Sequence, residues 1–127
     1  MMLFWKILKI LLALFMIYAG IQHFLKPTFY IAFVPDFLPF KMLIIYLSGV
    51  VEIVLGILLF LPKYSKLGAT GIFWLMIVFL PIHVWDVFSE HPAIGSSEAA
   101  RIRLPIQFVF IGLAWVVGKY ATEKSYD

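Results

Sequence analysis

The sequence predicts an all-α polytopic membrane protein built as a bundle of four transmembrane helices. Three observations predict it. The 127 residues are 64% hydrophobic and only 13% charged, with a mean hydropathy of +1.03, more apolar surface than a chain this short could hide from water. Apolar runs at about 3–24, 42–61, 67–88 and 97–120 each approach the roughly 17–25 residues that a spanning helix needs. The charges fall in short clusters at the ends of these runs, where they carry topology information. The length predicts a single domain over 1–127. The net charge of +3 is scattered, which argues against a nucleic-acid patch. Absence of cysteine excludes disulfides, thiolate metal sites and thiol redox chemistry within the chain.

The first run begins near Lys6 and Lys9 and ends in Gln22-His23. It is too long for a signal-peptide core and predicts a retained helix. Met16, Ala19, Gly20 and His23 recur at helical spacing, so His23 ends a face of small residues. Residues 26–41 contain Pro27, Pro35 and Pro39 among many aromatics. Three prolines forbid one continuous helix. An interfacial segment is expected, with a short helix near 28–33, serving as a surface connector or as a lid over a cavity.

The second run carries the chain's defining stretch, Ser48-Gly49-Val50-Val51-Glu52-Ile53-Val54-Leu55-Gly56. A carboxylate at mid-bilayer costs about 2.5–3.5 kcal/mol on insertion scales. At about 100° per residue, Ile45, Ser48, Gly49, Glu52 and Gly56 share one stripe. That stripe must face protein, and its small residues admit a close neighbour. Glu52 then serves either as a structural tie or as a ligand- or proton-handling group.

Pro62-Lys63-Tyr64-Ser65-Lys66 predicts a tight basic turn. In the third run Gly68 and Gly71 are packing positions, and Pro81 is expected to kink the helix and turn His83 and Asp86 inward. Ser96 or Ser97 can cap the fourth helix, with Glu98 in its first turn. Arg103 and Gln107 share a face there. The tail 121–127 is expected to fray. Lys6, Lys9, Lys63, Lys66, Lys119 and Lys124 lie on the side of the termini, against Lys26, Lys41, Arg101 and Arg103 on the other. That bias predicts both termini in the cytoplasm.

This arrangement predicts a polar cavity in the outer half of the bundle, lined by His23, Ser48, Glu52, His83, Arg103 and Gln107, with an apolar inner half that argues against a channel. Arg103 can pair with Asp86 or snorkel to headgroups. His23, Glu52 and His83 have the ligand types of a metal site, but no close spacing enforces one. The two histidines can also be read as haem ligands, without any further haem cue. The reading adopted assigns no metal.

Ala19-Gly20-x-x-His23-Phe24-x-x-Pro27, Pro35, Leu38-Pro39, Ser48-Gly49-x-x-Glu52-x-x-x-Gly56, Pro81 and Arg103-Leu104-Pro105-x-Gln107, in that order, resemble the DoxX and DoxX-like family of small four-helix membrane proteins. The likeness covers about residues 3–120. It implies a four-helix bundle in the bacterial cytoplasmic (inner) membrane. Relatives in that family include a small subunit linked to thiosulfate:quinone oxidoreduction, subunits of membrane redox complexes and an animal endoplasmic-reticulum chaperone for nicotinic acetylcholine receptors. This chain departs from some of them in lacking cysteine, and it has His83 where close relatives often have asparagine.

Two functions are therefore expected to compete. In one, the cavity holds a quinone, a lipid or another small amphiphile, and the protein serves a redox complex as an accessory subunit. In the other, the protein is an assembly factor or chaperone that binds partner transmembrane helices through its Gly49/Gly56 face, leaving the polar cluster structural. No nucleophile–base pair and no cofactor motif points to an autonomous enzyme. Homo-oligomerisation stays open, and Gly20, Gly49 and Gly56 are the expected helix-packing positions.

Overall fold

A computed structural model describes residues 2–122 of the chain. Helix α1 spans Leu3–Leu25, α2 Pro27–Ile31, α3 Lys41–Phe60, α4 Ser65–Phe88 and α5 Ser97–Tyr120, with a 3₁₀ turn at Pro62–Tyr64. All but α2 are long and apolar enough to cross a membrane. The protein is an all-α membrane bundle of four such helices, running up, down, up, down. Lys124 and most of the tail expected to fray lie outside the described residues.

Large apolar side chains cover the outside, including Leu11, Leu14, Val54, Trp74, Val78 and Val109, all exposed. This is the surface a bilayer solvates. Lipid supplies no hydrophobic drive for helix against helix, so close backbone approach and dispersion must hold the bundle. Glycine makes that approach possible between α1 and α3. A Cβ on Gly20 would stand 2.6 Å from the Gly49 carbonyl oxygen, and one on Gly56 2.9 Å from that of Ala13. Gly68 does the same for α4 on α3, where a Cβ would meet the Leu59 backbone nitrogen at 2.6 Å. The face of α3 offered to a partner helix by the assembly-factor reading is thus already covered by α1 of the same chain.

The seam between α1 and α5 is the least tightly packed. Aromatic pairs bridge it, with Trp5 on Tyr120 at 5.1 Å and Phe15 on Phe110 at 4.7 Å between ring centroids. Leu12, Ala13, Met16, Leu59, Ala69, Ile72, Ala114 and Val117 form a closed core in the half that carries the Pro62–Tyr64 turn. Ser65 closes that end by donating to the carbonyls of Leu59 and Leu61 at 3.1 and 2.9 Å, which satisfies acceptors left over at the end of α3. Lys9 departs from expectation. Read as a topology marker, it is only 7% exposed on α1, so this half is not wholly apolar.

The opposite end is built differently. Residues 26–40 fold over it, with Pro27 opening α2 at the position where proline is tolerated. Lys41 pairs with Asp36 at 2.8 Å and holds that carboxyl below its usual range. Ser96 caps α5 by accepting from the Ala99 amide at 3.1 Å, and Glu98 follows in the first turn. Pro81 does not end α4, which continues as one helix to Phe88.

Candidate functional site

A cavity of about 520 Å³ opens between the four long helices, in the half roofed by residues 26–40. Its wall is mostly apolar, with Phe15, Phe29, Phe33, Val34, Phe79 and Phe110 among the contributors. His23, Ser48, Glu52, His83 and Arg103 supply the polar part. Five of the six residues expected to bind a ligand therefore meet in one space. The segment 26–40 is part of the wall, through Tyr30, Pro35 and Leu38 as well, so it roofs the cavity as the lid reading expected.

The polar wall is built on the α1–α3 contact. A Cβ on Gly49 would stand 2.8 Å from His23 Cβ, so the glycine lets the imidazole reach α3. His23 Nδ1 lies 2.9 Å from the Ile45 carbonyl oxygen and 2.9 Å from Ser48 Oγ. The Ser48 hydroxyl is itself directed at that carbonyl, at 2.9 Å. A carbonyl only accepts, so Nδ1 carries a proton and the tautomer is set. His23 Nε2 faces Glu52 Oε2 at 3.0 Å. The approach is short but lies off the ring axis, so Oε2 has a charge partner and no directed hydrogen bond.

Tyr30 lies over the imidazole, with ring centroids 4.1 Å apart. Burial, with the Glu52 carboxyl adding, raises its phenol above the usual 10.0. It is therefore a neutral hydroxyl, able to donate or accept. Phe33 reaches His83 across the cavity mouth at 6.0 Å.

Two expectations need correction. Gln107 does not join the cluster. It is fully buried and donates to the Met76 carbonyl at 2.7 Å, where it ties α5 to α4 one turn before Pro81. Asp86 does not pair with Arg103. Its two oxygens accept from the amides of Ala93 and Ile94 at 2.5 and 3.3 Å, so it shapes the loop into α5. Among the described residues no three His, Cys, Asp or Glu side chains converge. Arg103 is half-buried beside Phe110, its guanidinium carbon 5.4 Å from the ring centroid. Its Nη1 is buried without a partner.

Sequence reasoning missed Tyr30, Phe110 and the Ile45 carbonyl. Tyr30 had a signal, because it belongs to an aromatic, proline-broken segment next to His23. The carbonyl had none, since nothing in a sequence tells which backbone oxygen a side chain will meet.

A family model described as a domain of unknown function, DUF8561, matches residues 12–118. The chain belongs to the DUF8561 family. No curated protein and no solved structure matches it. In this DUF8561 member the matched region takes in His23, Ser48, Glu52, His83 and Arg103.

Proposed function

We propose that the protein binds a small amphiphile, a quinone or a lipid-like molecule, in the cavity beneath residues 26–40. The observation that carries this reading is the cavity itself: about 520 Å³ of mostly apolar wall with a few convergent polar groups. Ligand sites have this size and make-up, with the polar groups fixing orientation. Tyr30, Ser48 and the His23–Glu52 pair offer donors and acceptors to a polar head, while the phenylalanines receive an apolar body. The resemblance to the DoxX family favours a role as accessory subunit of a redox complex in the bacterial cytoplasmic membrane. The positive-inside bias favours cytoplasmic termini and a cavity on the outer side.

Native mass spectrometry of protein taken gently from its membrane tests this. We expect a bound small molecule in the wild type. Ala19→Phe, which fills the cavity from α1, should release it while the protein keeps its helical content. A wild type that carries no small molecule, and that no quinone or lipid stabilises against heat, would refute the reading.

A further inference from the structure

We infer that the head of the bound amphiphile is an anion, a carboxylate held by Arg103. This rests on the amphiphile-binding reading above and names the class of its ligand. The titratable and charged side chains of the cavity wall are His23, Tyr30, Glu52, His83 and Arg103. His23 Nε2 faces the Glu52 carboxyl at 3.0 Å, and among the described residues no ion pair joins that carboxyl to Arg103. Asp86 is not part of the wall and spends both oxygens on loop amides. Arg103 is part of the wall and is permanently charged. Among the described residues it makes no ion pair, and one of its terminal nitrogens is buried without a partner.

A half-buried guanidinium with one buried, unmet donor is costly in a membrane, and an anion is the partner that offsets the cost best. Its planar fork matches a carboxylate with two parallel hydrogen bonds, geometry that a hydroxyl or a ketone cannot reproduce. Phe110 lies against the guanidinium, its ring centroid 5.4 Å from the guanidinium carbon. The head would rest there at the mouth of α5, with its chain along the phenylalanines. A neutral quinone would leave the charge unanswered.

Competition by native mass spectrometry in uncharged detergent decides the point, with myristate and myristyl alcohol as probes of equal chain length. The wild type should prefer myristate by about tenfold or more, the ratio one charge-assisted contact supplies. Arg103→Gln should lose that preference and keep its affinity for the alcohol. Arg103→Lys should retain part of it, as a point charge without the fork. Equal binding of the two probes to wild type, or tighter binding of a short-chain benzoquinone than of myristate, would overturn the carboxylate assignment and leave the amphiphile reading standing. Failure of all three probes to bind would overturn both.

Discussion

The proton on His23 Nδ1 is the smallest feature with consequences for the whole site. The Ile45 carbonyl holds it there, so Nε2 faces Glu52 in a defined state. Removing one partner should leave the other with an unmet polar atom, at a cost of about 1–3 kcal/mol. Glu52→Leu should therefore destabilise by that amount, and Glu52→Gln by less, since the amide keeps a polar group opposite Nε2. In a double-mutant cycle read by thermal unfolding, Glu52 and His23 should couple while Glu52 and Gln107 should not. Coupling of Glu52 to Gln107 in place of His23 would contradict the geometry. Tyr30 offers a second test. Its pKa in the folded protein lies above the unfolded value, so its contribution to stability is complete below that value, about 10. It is lost as pH rises through the folded value. Tyr30→Phe should remove one late-titrating step from the alkaline absorbance curve and flatten the stability loss in that range.

At the scale of helices, the α1–α3 contact depends on glycine. A Cβ at Gly20 or Gly49 would collide with backbone or with His23, and overpacking of this kind costs about 1–3 kcal/mol. Gly20→Val and Gly49→Val should both lower the unfolding temperature. Gly49→Val should also move His23 away from Glu52. Gly112 is the control, because a Cβ there meets nothing within 4 Å. Gly112→Ala should be neutral or stabilising by up to about 1 kcal/mol through helix propensity. An equal response at all three positions would remove the packing argument.

These elements also show what a sequence reader can and cannot see. Helix boundaries were legible to within two residues, because apolar runs of bilayer length end in charge, proline or a cap. The Glu52 stripe was legible because its period is that of a helix. Gln107 misled, since a polar residue one turn from Arg103 shares its face by periodicity. Yet Gln107 finds a carbonyl on α4, and that choice depends on how two helices are rotated against each other. Asp86 misled for a related reason. Its partners are amides seven and eight residues on, reached only once the loop has folded back.

For the whole molecule, orientation is the first question. The chain has no cysteine, so single introduced thiols report without background. Ser96→Cys should label from outside the cell and Lys63→Cys only after permeabilisation, since the two positions lie at opposite ends of the bundle. The reverse pattern would invert the proposed topology and place the cavity on the cytoplasmic side.

The division of the bundle into a packed half and a hollow half has a consequence for its motions. Amide exchange rates follow the local free energy of opening, which falls where apolar contacts are few. Helix α3 crosses both halves, so its protection should be graded, weak from Lys41 to Glu52 and strong from Ile53 to Phe60. A molecule that binds only the folded cavity stabilises by mass action, and its effect should be concentrated in the weak stretch. Deuterium uptake along this one helix would then act as a gauge of occupancy, reading whether the site is filled without any need to know what fills it.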